Sequence, residues 1–81
     1  MRSLWTLKRG DRVRIAGYDD ALLAHYRVRL MELGFHVGEV VQCVQAPGLG
    51  APRAYRVSNT VFSLDDEVAS HILVEPVVGD E

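Results

Sequence analysis

Tyr26-Arg27-Val28-Arg29-Leu30-Met31-Glu32-Leu33-Gly34-Phe35-His36-Val37-Gly38 decides how this 81-residue chain is read. The stretch has the form of the last turns of a helix, a stop, and a glycine-cornered launch into a strand. Worked backwards, the helix is expected to begin at Asp19-Asp20. Either carboxylate there can accept hydrogen bonds from first-turn N–H groups, and its charge suits the positive end of the helix dipole. At about 100° per residue, Leu22, Leu23, Tyr26, Leu30 and Leu33 fall in one stripe, which should face the core. Gly34 stands where a left-handed cap is wanted, and Phe35 reaches back onto Leu30 as in a Schellman stop. Leu30, Leu33, Gly34 and Gly38 are therefore assigned to the fold.

Upstream of this helix, Leu4-Trp5-Thr6-Leu7 is a short apolar lead-in and Lys8-Arg9-Gly10-Asp11 a turn. Arg12-Val13-Arg14-Ile15-Ala16 alternates as a half-buried strand, with two arginines outward, and Gly17 is expected to break it. Downstream, residues 39–46 form a β-branched strand, and residues 47–52, with two prolines and two glycines, form a loop. Arg53-Ala54-Tyr55-Arg56-Val57 is the next strand. Ser58-Asn59-Thr60 turns the chain into Val61-Phe62-Ser63-Leu64. Asp65-Asp66-Glu67 opens one helical turn, and the final strand covers 71–75, stopped by Pro76. The chain is thus one domain, 1–81, with a folded core at 5–76 and a frayed tail at 77–81. Strands this short and this few are expected to make a small, partly open barrel whose mouth the helix plugs.

Composition limits what such a domain does. A chain of this size buries roughly 60% of its unfolded surface, so it depends on one thin core. Apolar residues make up 48% of the sequence, and mean hydropathy is +0.03, as in a globular chain. A formal charge of −2 argues against a nucleic-acid-coating protein. The single cysteine, Cys43, cannot form an internal disulfide, and no signal-type apolar run follows Met1. Both point to the cytoplasm. No apolar run approaches the roughly 20 residues that span a bilayer, so direct membrane insertion is not expected.

With the second half in place, the pattern resembles the FeoA family, small SH3-like barrels associated with bacterial ferrous-iron uptake. Residues 29–38 match the family's RLxxLGhxPG helix exit, with Val37 in place of the usual proline. The loop 46–52 matches its aPlGxP turn with one extra residue. Residues 63–74 match the closing aLRxxeAxxIxV, with Asp65 for the arginine and Val68 for the acid. The resemblance implies a mainly β fold: a small SH3-like, partly open barrel of about five strands with one α-helix inserted between the first and second strands. It also implies a cytosolic accessory protein that docks on a FeoB-type membrane ferrous-iron transporter and carries no catalysis of its own.

The residues themselves offer little chemistry. Cys43, His25, His36, His71 and the acids at 19–20, 65–67 and 80–81 show no ligand spacing, so no metal site is assigned, although an iron system invites a search for transition-metal binding. No nucleophile stands at recognisable spacing from a base, no cofactor motif is present, and no enzyme is expected. Lys8, Arg9, Arg12 and Arg14 cluster without interleaved aromatics, which favours solvated strand-face arginines over nucleic-acid binding. Docking is better supported. Ala24, Val28 and Met31 form a second apolar streak opposite the core stripe, with Arg27 between the two. Either the 47–52 loop covers this streak, or the streak, Arg27 and Leu49 at the loop tip form a partner surface. Barrel edges and the streak also leave room for a weak homodimer. The alternatives are a detached barrel domain of a metal-dependent transcription regulator and a generic peptide-binding barrel.

Overall fold

In a computed structural model, which describes residues 2–78, alternation of apolar and polar side chains sets the strands. The order is β1 (Arg2–Ser3), a 3-10 turn (Leu4–Thr6), β2 (Arg12–Tyr18), α1 (Ala24–Leu33), β3 (Val40–Gln45), β4 (Arg53–Val57), β5 (Thr60–Leu64), α2 (Asp66–Ala69) and β6 (Ile72–Pro76). The strands form one antiparallel sheet in the order β1-β6-β2-β3-β4-β5, which does not close on itself. Among the described residues there are six strands where about five were expected, so α1 follows the second strand and not the first. The additional one, β1, pairs Arg2 with Val74 and Ser3 with Leu73. The region after Val78, including residues 79–81 of the expected tail and the acids at 80–81, lies outside the described residues.

Val13 and Ile15, Val41 and Cys43, Tyr55 and Val57, and Ile72 and Val74 are the inward sets of β2, β3, β4 and β6, and all are buried. Leu4 and Leu7 join them from the N-terminal segment, and Leu4 extends the core one residue ahead of the expected start. Two register shifts curve the sheet, one between Ile15 and Gly17 and one between Cys43 and Gln45. Gly17 therefore does not end its strand. It follows a bulge, and pairing continues through Tyr18, which stands opposite Ile72, as a lone glycine inside a strand pattern often signals. Between β4 and β5 the turn is the two residues Ser58 and Asn59, at φ +51° and +65°, with Val57 paired to Thr60. Positive φ at both central positions defines the tight turn whose twist suits a hairpin.

Side chains span part of the gap that strand pairing leaves open. The Tyr55 hydroxyl donates to the Leu4 carbonyl at 2.9 Å. The Arg53 guanidinium donates to the carbonyls of Trp5 and Leu7 and lies 4.3 Å from the Trp5 ring centroid. Two residues of β4 thereby hold the 3-10 turn that follows the edge strand β1.

The helix departs from expectation at its beginning. Asp19 does not cap it. Its carboxylate accepts from the Ala21 N–H at 2.8 Å, and its carbonyl accepts from the Leu22 N–H at 3.0 Å. That closes a turn and spends Asp19 before the helix starts, so Leu23 stands at the N-cap with no side-chain bond. Leu22 is buried from this turn, not from the helix, while Leu23 and Tyr26 of the expected core stripe are exposed. Leu30 alone is buried within α1, with Leu33 partly buried against the core. The end of the helix follows the sequence closely. The Phe35 N–H donates to Leu30 at 2.9 Å and the Gly34 N–H to Met31 at 3.1 Å, the paired bonds of a Schellman motif. Gly34 takes φ +110° and Phe35 is fully buried. Gly38, at φ +94°, donates to Ile15 at 2.8 Å and starts the pairing of β3 with β2.

Candidate functional site

A helix anchored mainly by Leu30 leaves most of its surface to solvent. Ala24, Val28 and Met31 sit at helical spacing and are exposed, Val28 at 56% and Met31 at 40%. Leu23, at 58%, and Tyr26, at 38%, widen the apolar surface of the same segment. Tyr26 stacks at a tilt on His25, with ring centroids 4.4 Å apart. Leu49 takes φ +63° in the 47–52 loop and is fully exposed. The streak that spacing alone picked out therefore faces water and is not covered. Leu23 and Tyr26, which helical spacing puts on other sides of α1 and which were expected in the core, are exposed as well.

Arg27 is held differently from its neighbours. It is half-buried, with its guanidinium carbon 6.0 Å from the centroid of the Tyr18 ring, and its Nε has no hydrogen-bond partner among the described residues. The Tyr18 hydroxyl donates to the Phe35 carbonyl. Burial pushes this phenol up, and the nearby Arg27 charge pulls it partly back. Arg27 and Tyr18 thus tie the middle of α1 to the end of β2, and Leu30, Leu33, Gly34 and Gly38 shape the exit below it.

Among the described residues, no group of three or more His, Cys, Asp or Glu converges as a cation site. The nearest approach is a pair, His71 Nδ1 at 3.5 Å from Asp19 Oδ2, which joins the start of β6 to the turn before α1. Cys43 is buried, its thiol 3.6 Å from the Gln45 carbonyl, and burial pushes its pKa up. A buried thiol held in its protonated form is a poor nucleophile and a poor ligand. His25 and His36 are exposed. Among the described residues, no helix is long and apolar enough to cross a membrane.

Comparison with solved structures fits this geometry. The FeoA protein of Chlorobium tepidum superposes with a TM-score of 0.83 at 29% identity, over 98% of this chain and 73% of that one. Stenotrophomonas maltophilia FeoA, complexed with zinc and described as a procaryotic SH3 domain protein and a candidate ferrous iron transport activating factor, gives 0.82 at 28% identity, over 93% of this chain and 91% of that one. A manganese-dependent transcriptional repressor shares the fold at 0.83, but at 17% identity, over 94% of this chain and 41% of the repressor. No curated protein matches the chain. The fold is the SH3-like barrel that the resemblance implied. The FeoA domain model matches residues 2–76, nearly the whole of the chain, which therefore belongs to the FeoA family.

Proposed function

We propose that this protein is a cytosolic accessory of ferrous-iron uptake that docks on the cytoplasmic part of a FeoB-type membrane transporter and performs no chemistry of its own. The observation that carries the reading is the uncovered apolar surface of α1. A ten-residue helix that buries one residue stabilises the barrel little for its length, whereas Val28 and Met31 present apolar area that a partner could remove from water. Arg27 borders this surface from its seat on Tyr18, and Leu49 offers a further apolar tip. Family membership supplies the context of iron transport, and the FeoA relative described as a candidate activating factor supports an accessory role.

The test is an NMR titration of the labelled chain with the soluble cytoplasmic region of the cognate transporter. Shifts should concentrate at residues 23–31 and around Leu49. The double variant Val28→Glu, Met31→Glu should keep the native spectrum elsewhere and lose the association. Undiminished binding by a folded double variant would remove this face from the reading.

A further inference from the structure

A row of polar side chains crosses the outside of the sheet, on strands and not on the helix surface proposed above. Arg12 of β2 stands opposite Gln42 of β3, and Gln42 stands opposite Arg56 of β4. Val13, Val41, Cys43, Tyr55 and Val57 flank these positions and are buried, so strand alternation turns Arg12, Gln42 and Arg56 outward. With Val40, Ser58 and Asn59 they line a groove of about 230 Å³. Adjacent strands lie about 4.8 Å apart, so the two arginines are on the order of 10 Å apart at the backbone, with an amide between them.

The two guanidiniums differ from those of the other arginines on β2 and β4. Arg14 donates to the Gly38 carbonyl at 2.7 Å, and Arg53 is spent on Trp5 and Leu7. Among the described residues, Arg12 and Arg56 have neither an ion-pair nor a hydrogen-bond partner, and both are exposed. No acid lines the groove. The lining instead adds side-chain donors at Gln42, Ser58 and Asn59 to two fixed positive charges.

We infer that this groove docks an acidic polypeptide segment, with side-chain carboxylates seated on Arg12 and Arg56 and the Gln42 amide between them. Guanidinium forks match carboxylates in a bidentate manner that lysine cannot reproduce. The chain as a whole is formally −2, so the groove is a local field of opposite sign, suited to steering an acidic partner into one register. Its size and openness favour side chains presented by a polypeptide over a free small ligand, since sites that enclose small ligands usually measure about 300–1,000 Å³. Ser58 also places the groove in the molecule. A Cβ at Gly34 would lie 3.2 Å from the Ser58 Oγ, so the groove begins beside the stop of α1. The inference names the chemistry of a partner and does not depend on iron uptake.

The experiment is a titration of the ¹⁵N-labelled full chain at low salt with a hexaglutamate peptide and, separately, with inorganic phosphate. The peptide should shift Arg12, Gln42, Arg56 and Asn59, and its affinity should fall as salt rises. The double variant Arg12→Gln, Arg56→Gln should weaken the peptide by roughly tenfold or more. Arg56→Lys, which keeps the charge and loses the fork, should fall between the two and covers the case of a double variant that does not fold. Peptide shifts elsewhere on the surface, or full affinity in either folded variant, would overturn the proposal. Phosphate binding the groove as tightly as the peptide would overturn it too, by making the groove a free-anion site.

Discussion

Tyr55 carries a hydroxyl into the interior and gives it to the Leu4 carbonyl, while its ring fills the core between β3 and β5. Burial pushes its phenol well above the ordinary value, which favours the protonated, donating form. Tyr55→Phe keeps the ring and removes one of the two hydrogen bonds to the Leu4 carbonyl, which still accepts from the Leu7 N–H at 3.2 Å, and it should cost about 0.5–1.5 kcal/mol. Urea unfolding should show a lower midpoint with an unchanged slope. Asp19 offers a pH test at the same scale. The Ala21 N–H holds its carboxyl below the usual carboxylate value, outweighing partial burial, and His71 adds to the effect. A depressed carboxylate stabilises the fold above its unfolded pKa of about 3.9, and that contribution is lost as pH falls through the folded value. Asp19→Asn keeps an acceptor for Ala21 without the charge. It should therefore be less stable than the parent at pH 6, and the difference should shrink below about pH 4 in parallel urea melts.

At the scale of elements, the helix is legible from one end only. Gly34 and Phe35 announce its stop, because a positive φ followed by an apolar residue has few other uses. Gly34→Ala should cost about 1–2 kcal/mol from backbone strain alone. The contact with Ser58 adds to this, and because Ser58→Gly also relieves the positive φ of Ser58, the added part is read as the coupling between the two substitutions in a double-mutant cycle of thermal melts. The start of the helix was hidden because Asp19 serves equally well as a cap or as the corner of an isolated turn, and local sequence does not separate the two. Periodicity then carried Leu23 and Tyr26 into a core they do not reach. β1 escaped notice for another reason: two residues have no period, and Arg2–Ser3 is a strand only because β6 lies beside it. The candidate surfaces divide in the same way. Ala24, Val28 and Met31 could be read from spacing within one helix. The Arg12, Gln42 and Arg56 row exists only once the register of three strands is known, and nothing local in the sequence marks it.

For the molecule as a whole, the feature that matters is the joining of the first strand to the last. β1 pairs with β6, and β4 reaches back to the carbonyls of Leu4, Trp5 and Leu7 through Tyr55 and Arg53. Contacts between residues far apart in sequence form late, because the loop between them must close before they contribute. Synthesis proceeds from the N-terminus, so within this domain the segment at residues 2–7 waits longest. Its buried leucines, Leu4 and Leu7, therefore stay short of their final contacts until the last strand, Ile72–Pro76, is made, and the pairing of β1 with β6 is expected late in folding.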